Sequence, residues 1–530
     1  MLLFINMGEK TIKNTILNKK ITSLLLIFFL LMLLPTHIQA ISTPEIKHTL
    51  TVSLPDPLIL DMPLEQAICH RMSIRAFTGE GITDEELSTI LWHAYGYTKP
   101  LKRAVHGITD QYPLNLYVLR EDGVWKYHPE DHSLSKYRSL DMTWIGQYDT
   151  ATVKIGITWD TDICTDDNYA GAEIGEVCQN IYFVCNSLNL GTVTTSSESN
   201  QLAFIGLPSL EQTRIILPIG HPQTPYQFTY DPIISDLPLI QNSTTTLSEA
   251  IINRASTTEW LDMDLSIQEQ TQLIWSSYGY SYFIDEVNNV RHKTVPSSHA
   301  TYPMAMYCVN KTGIYLYQCD THQLELIKLG DFRTDIADAS QSFIRRVPLM
   351  ILPVLDTTEV NTNYLWAWYY EAAASAHNVL LEATAWDLAG TIIYAHDTEA
   401  IITTLGLSTS NHLPMFVIPI GKQAVVQNNE PTIQINQPAP GLYVFGQRIH
   451  DLEEVIIIGP LQTRITAQDD HGIKAIHLTI DGTSYTYETN DRIQIHFPTS
   501  LLPRNHILSA TAFDYNGATA TQSLSYIKLL

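Results

Sequence analysis

The chain predicts an α+β fold, in which two tandem layered domains of helices mixed with a few antiparallel strands are followed by an all-β sandwich. Three observations lead there. First, Arg71-Met-Ser73 recurs as Arg254-Ala-Ser256, and Leu91-Trp-His-Ala-Tyr-Gly-Tyr97 recurs as Ile274-Trp-Ser-Ser-Tyr-Gly-Tyr280, both at an offset of 183. Such self-similarity marks a duplicated structural unit. Second, each copy alternates helical and extended patterns in the same order. Third, after Gln427 the texture changes to short runs of alternating apolar and polar residues.

The N-terminus carries Lys10, Lys13, Lys19 and Lys20, then an apolar run from Ile21 to Pro35, then a polar stretch ending in Gln39-Ala40. Residues 1–40 therefore read as a signal peptide cleaved near Ala40, or as an uncleaved membrane anchor, and the remainder is expected on the far side of the membrane. Repeat one is placed at 55–225. A helix near Leu64 to Arg71 precedes an extended Ser-Ile-Arg-Ala-Phe segment, and Thr83 caps a helix with apolar Leu87, Ile90, Leu91 and Ala94. A hairpin of Leu114 to Leu119 and Val124 to Tyr127 follows, then a long apolar helix from about Ala170 to Leu188 and a strand from Thr213 to Ile219. Residues 226–246, rich in Pro, Asp, Ser and Thr, form the linker.

Repeat two, at 247–425, keeps this order with its long helix at Trp366 to Trp386. Tyr112-Pro113, Tyr117, Gly123 and His132 return as Tyr302-Pro303, Tyr307, Gly313 and His322 at an offset of 190. Asn180 returns as Asn378 and Pro218-Ile-Gly220 as Pro419-Ile-Gly421, at offsets of 198 and 201. Growth in such small steps is what insertions at surface connections produce. In residues 430–530 the runs Ala475 to Ile480 and Arg492 to His496 lie between Asp-Gly and Asn-Gly turn signals. Ala467-Gln-Asp469-Asp-His-Gly472 and Ala512-Phe-Asp514-Tyr-Asn-Gly517 share one pattern there.

The 55 acidic and 31 basic residues give a net charge of −24, a field that repels phosphate backbones, so no nucleic-acid partner is expected. Six cysteines are too few for a disulfide scaffold. Cys308 and Cys319 flank the expected hairpin Val309 to Gln318, where they either face each other or remain two free thiols. His128 and His132 sit at a strand-end turn and read as structural rather than metal-binding. Gln179-Asn180 and His377-Asn378 are expected to satisfy buried polar contacts on an apolar helix, and Trp92 and Trp275 to be core residues.

Arg71-Met-Ser73-Ile-Arg75-Ala-Phe77, the Glu85-Glu86-Leu87 helix, Leu91-Trp92 through Tyr95-Gly96, Arg103 to Pro113, Gln179-Asn180 and Leu217-Pro-Ile-Gly220 together resemble the nitroreductase family, especially its SagB-type dehydrogenase branch. The resemblance covers nearly all of both repeats. The C-terminal region resembles the immunoglobulin-like modules of exported proteins. Family members bind FMN at a homodimer interface, so the resemblance implies that the two repeats form an intramolecular pseudo-dimer within a monomeric chain. It also implies that the early Arg-x-Ser-x-Arg holds the phosphate and the pyrimidine edge, while a Pro-Ser loop from the other half packs by the ring. Guanidinium forks suit those acceptors.

The two copies depart from that pattern in complementary places. Repeat one keeps Arg71, Ser73 and Arg75 but has His106-Gly107 where the family has Pro-Ser. Repeat two keeps Pro296, Ser297 and Ser298 but reads Arg254-Ala-Ser256-Thr-Thr258, without the final cation. One composite cofactor site of Arg71, Ser73, Arg75, Pro296, Ser297 and Ser298 is thus expected, with the opposite site of Arg254, Ser256, His106 and Gly107 empty. The alternative is that both have decayed. No catalytic side chain is identified, because flavin performs the redox step itself. The resemblance implies a small-molecule redox substrate: nitro groups, quinones, flavins or peptide azolines. A flavin-free pseudoenzyme acting as an extracytoplasmic binding or surface protein is the other function class.

Overall fold

A computed structural model describes residues 50–99, 102–107, 112–394, 397–424, 430–469, 473–488, 492–496, 504–514 and 517–529. Residues 1–49, with the segment expected as a signal peptide or anchor, and Asp470 to Gly472 and Tyr515-Asn516 lie outside the described residues. From Thr51 onward the chain forms one unit.

The first sheet is built from β1 (Thr51–Ser53), β2 (Leu114–Arg120), β3 (Gly123–His128), β4 (Ser133–Arg138), β5 (Val153–Asp160), β6 (Gly191–Thr192) and β7 (Glu211–Gly220). Their order across the sheet is β1-β4-β3-β2-β5-β7-β6. The second sheet contains β8 (Met304–Asn310), β9 (Gly313–Gln318), β10 (Gln323–Leu329), β11 (Leu349–Asp356), β12 (Ala389–Gly390) and β13 (Phe416–Gly421), and runs β10-β9-β8-β11-β13-β12, with the short strands Ile393–Tyr394 and His412–Pro414 paired to β13 and β11. Apart from β1, the two orders are the same. Strands β5 and β11 are buried nearly from end to end and lie between sheet neighbours on both sides. Neither shows the alternation that advertises a half-exposed strand, and sequence patterning had not placed them.

Three helices correspond between the halves: α1 (Leu64–His70), α2 (Asp84–Tyr95) and α3 (Asp167–Ser187), then α4 (Leu247–Asn253), α5 (Ile267–Tyr278) and α6 (Leu365–Ala385); the second half adds two short ones, Arg333–Ala339 and Thr398–Leu405. Thr83 caps α2 with a reciprocal Glu86 contact, and Ser266 caps α5 with Glu269 in the same way. The long helices α3 and α6 pack against each other across the halves. Their approach is close because Gly171 and Gly175 present no side chain: a Cβ at Gly171 would lie 2.6 Å from the Trp366 carbonyl oxygen, and one at Gly175 would meet that of Tyr370.

Polar residues on these buried helices are matched across the seam. The Gln179 amide donates to Thr294 O and to Asn378 Oδ1, each at 2.9 Å, and Asn180 Oδ1 lies 2.8 Å from His377 Nε2. Asn180 also donates to His93 O at 3.0 Å, and Asn378 to Ser276 O at 3.0 Å, so residues at corresponding places make the same contact twice. Tyr95 donates to Glu173 as Tyr278 does to Glu371, and Arg103 lies over Tyr95, Tyr97 and Tyr112 as Lys293 lies over Tyr278, Tyr280 and Tyr302. Trp275 is buried as expected, whereas Trp92 is only half-buried, edge-on to His93 at the rim of α2.

The segment expected as a plain linker is also structural: its strand Phe228–Tyr230 pairs with Phe283–Asp285 of the second half, and the Tyr226 hydroxyl donates to Leu190 O at 2.7 Å. Beyond it, Thr432–Gln437, Gln462–Gln468 and Arg492–His496 make a three-stranded sheet. A seven-stranded sheet faces it, centred on Ile473–Ile480, Arg504–Asp514 and Thr519–Lys528. Ile435, Ile465 and Ala467 from the one share a core with Val455, Ile457, Ile476, Leu478 and Ala510 from the other, which makes a two-layer sandwich. Among the described residues no helix is long and apolar enough to cross a membrane.

Candidate functional site

Helix α1 ends at His70, and the chain then runs extended along the rim of the first sheet. Ile74 N donates to Thr192 O at 2.9 Å and Thr78 N to His221 O at 3.0 Å. This extended course aims Arg71, Ser73 and Arg75 at a cavity of about 680 Å³, whose far wall is Pro296, Ser297, His299, Ala300 and Tyr302 of the second half. Five of the six residues named from the sequence line it. The sixth, Ser298, opens the adjoining 3-10 turn Ser298–Ala300, where its carbonyl accepts from Thr301, and it is not among the lining residues.

The two arginines differ in state. Arg71 is only 3% exposed; its Nε and Nη2 donate to Lys293 O at 3.2 and 3.1 Å, and its guanidinium lies 5.4 Å from the Tyr182 ring centroid. Arg75 is exposed, with a single marginal contact to Ser73 O at 3.5 Å. Ser73 Oγ lies 3.2 Å from the Tyr182 hydroxyl. Across the cavity, Ser297 Oγ donates to Glu371 Oε2 at 2.6 Å and accepts from Tyr302 N at 2.9 Å. Burial pushes the Glu371 carboxyl up to about 7. His299, Ala300 and Tyr302 have φ of 52°, 56° and 50°, a left-handed region that side chains other than glycine seldom enter. Such positions collect at functional loops, where surrounding contacts hold them.

Sequence reasoning missed two further walls, Pro222 to Tyr226 leading into the linker and the segment Asp285 to His292. The second had a signal, since the repeat offset grows from 183 to 190 between Tyr280 and Tyr302. Buried Asp285 accepts from Asn288 Nδ2 at 2.7 Å and faces His292 Nε2 at 3.0 Å. Burial alone would raise this carboxyl, but the hydrogen bonds from Asn288 and His292 hold it below its usual range.

The opposite crevice is arranged differently. Arg254 is buried, donating to Val105 O at 3.2 Å and to Ser256 Oγ at 3.4 Å, and burial lowers its pKa. His106 reaches across, its Nε2 3.0 Å from Thr391 Oγ1 and 3.4 Å from the Ile392 amide that donates to it. Gly107, at φ 68°, lies under the Tyr112 ring, and the Tyr169 and Tyr394 rings meet tilted at 44°, their centroids 4.0 Å apart. Among the described residues, side chains of the two halves thus meet directly on this side. His132 is held by Tyr127 and Ser88, at 3.0 and 2.7 Å, and His322 by Tyr317 at 2.8 Å, the structural roles expected of them. Cys308 pairs in register with Tyr315 rather than with Cys319, and all six cysteines are free.

The cavity's volume lies in the range of small-molecule and cofactor sites, about 300–1,000 Å³. Its exposed guanidinium, hydroxyls and proline-lined apolar walls fit the polar and flat parts of a flavin nucleotide. Arg75 and Ser73 could hold one, and Ser297, whose proton goes to Glu371 and which accepts from Tyr302 N, could add one acceptor position.

No family model matches the chain. A Methanocaldococcus jannaschii protein provisionally named a nitroreductase is 32% identical over 196 residues, which cover 32% of this chain and 96% of that protein. A solved structure from Anabaena variabilis, also provisionally named a nitroreductase, matches 70% of this chain and 94% of its own with a TM-score of 0.53. At 14% identity that likeness concerns the fold alone. A Desulfovibrio desulfuricans nitroreductase of equally provisional name, solved in complex with FMN, is 19% identical over 33% of this chain and 84% of its own, at a TM-score of 0.24.

Proposed function

Because this chain belongs to the nitroreductase family, we propose that it is an FMN-dependent oxidoreductase acting outside the cytoplasm, with one composite flavin site between two nitroreductase-like halves. The observation that carries the proposal is a single cavity lined by Arg71, Ser73 and Arg75 from one half and by Pro296 and Ser297 from the other. In this reading residues 55–225 and 247–425 are the halves of an intramolecular pseudo-dimer, of the SagB-type branch, in a monomeric chain. The seam of α3 and α6 and the twice-made contacts of Asn180 and Asn378 support it.

When bound, FMN supplies hydride transfer to and from a small-molecule redox substrate. The chain's own residues orient and shelter it. Arg75 meets the ligand's anionic or carbonyl edge, Ser73 offers a hydroxyl, Ser297 offers its remaining acceptor position, and Pro222, Pro225 and Pro296 exclude water from the flat faces. Arg71 acts from behind, fixing Lys293 and so the approach to the Pro-Ser loop. The apolar N-terminal run and residues 430–530, an immunoglobulin-like module in this reading, suit export or surface anchoring.

One observation favours the second reading, a flavin-free pseudoenzyme with a binding role: two of the three Arg71 guanidinium nitrogens, Nε and Nη2, are already committed to a backbone carbonyl. A visible absorption spectrum of the purified protein, followed by titration with FMN, separates the two. The oxidoreductase reading expects flavin bands or saturable quenching of FMN fluorescence. A colourless protein that ignores added FMN would overturn it.

A further inference from the structure

The second half is seven residues longer than the first between two corresponding points, Tyr97 to Arg103 in the one and Tyr280 to Lys293 in the other. Those residues do not hang free. Phe283–Asp285 pairs with the linker strand Phe228–Tyr230, and the turn that follows lines the composite cavity with Asp285, Val287, Asn288, Val290 and His292. Among the described residues the first half has no counterpart, and this wall stands at the side that keeps Arg71 and Arg75.

The wall is preorganised around Asp285. Its Oδ1 accepts from Val287 N at 3.0 Å, and its Oδ2 from Asn288 Nδ2 at 2.7 Å and from His292 Nε2 at 3.0 Å. With Nε2 facing the carboxylate, the imidazole turns Nδ1 outward, and among the described residues Nδ1 has no hydrogen-bond partner. His292 directly precedes Lys293, whose carbonyl is clamped by Arg71. That adjacency sets the imidazole beside the buried guanidinium, and the positive charge of Arg71 helps burial hold the imidazole below its ordinary pKa. A neutral imidazole, with a cation behind it and a carboxylate fixing its far nitrogen, is poised to become a donor when an anion arrives.

We propose that His292, held by Asp285, is a phosphate-binding residue of the composite site: it makes the inserted turn a selector for a flavin that carries a phosphate over one that does not. The inference rests on the flavin-site reading above. On binding, the imidazole takes one proton from solvent at Nδ1 and donates it as a hydrogen bond to a phosphate oxygen. The resulting imidazolium is balanced by Asp285, and no covalent bond changes.

The test compares FMN with riboflavin, which differ only in that phosphate, by fluorescence titration of the full chain and of two variants. His292→Gln keeps a donor toward Asp285 but cannot become cationic. Val287→Glu adds a negative charge at an exposed position of the same wall, with little risk to folding. Each variant is expected to weaken FMN binding about tenfold, the order of one charge-assisted hydrogen bond, and to leave riboflavin within about twofold. If both flavins weaken alike, or neither changes, the phosphate role of His292 is refuted while the flavin site stands. If the unaltered protein binds neither flavin, the site reading itself fails and this inference falls with it.

Discussion

Replacing Arg75 with alanine should separate flavin retention from folding, because the two arginines of the site are held so differently. Arg75 is exposed, and its one internal contact is the 3.5 Å approach to Ser73 O, at the limit of a hydrogen bond. Surface substitutions of that kind change stability by no more than about 0.5 kcal/mol, so the melting temperature should hold. Its contact to an anionic or carbonyl edge would be charge-assisted, about 1.5–3 kcal/mol, which corresponds to roughly a 10- to 150-fold rise in Kd for FMN. Arg71 behaves otherwise, since removing its side chain strips Lys293 O of two buried donors and should cost about 2–3 kcal/mol of stability along with flavin. Arg254→Ala should likewise destabilise, through Val105 O, but leave FMN affinity unchanged. Fluorescence titration and thermal melting of the three variants decide the matter. A Kd for Arg75→Ala within about threefold of the parent, or an equal loss of affinity in Arg254→Ala, would refute the single composite site.

Further outcomes follow from the same coordinates. Gly175→Ala should lower stability by about 2 kcal/mol or more, since its methyl would meet the backbone carbonyl of Tyr370 across the helix seam; calorimetry would show an unchanged transition if that packing were loose. Glu371, raised by burial from 4.5 to about 7, binds more protons folded than unfolded, so its contribution is present below about pH 4.5 and is lost as pH rises through about 7. Glu371→Gln should remove that decline, read as melting temperature against pH, and an unaltered profile would count against the assignment. Thiol titration should find six free cysteines in denaturant without reductant, with Cys319, the one not buried, reacting first in the folded protein. Fewer than six would reveal a disulfide.

Much of the architecture is carried by local signals. Thr83 three residues before Glu86, the apolar spacing of Leu87, Ile90, Leu91 and Ala94, and the turn between β2 and β3 each declare their element within a few residues, and all stand where expected. Strands β5 and β11 were missed because a strand buried on both faces has no alternation. Trp92 was misplaced because one large aromatic does not say which side of its helix faces inward; its neighbour His93 is the buried one, lying 2.8 Å from Ser248 Oγ.

The candidate site was legible as two half-motifs whose losses complement each other: Arg71, Ser73 and Arg75 without a Pro-Ser partner, and Pro296 and Ser297 without a final cation. That contrast needs only the repeat alignment. How those residues are used was not legible. The guanidinium of Arg71 is engaged by a carbonyl 222 residues away, and the turn from Asp285 to His292 and the segment before Tyr226 close on one cavity.

The sequence by itself determined which short motifs recur, where most helices and outer strands lie, and which arginines and serines those motifs keep, since repetition and periodicity are properties of neighbours along the chain. Only the tertiary structure decided that Arg71 is buried with two nitrogens on a backbone carbonyl while Arg75 is exposed, that His106 reaches across one crevice to Thr391, and that an inserted turn walls the other. Those outcomes depend on contacts between residues far apart in sequence, whose geometry is set only when α3 and α6 pack across the seam.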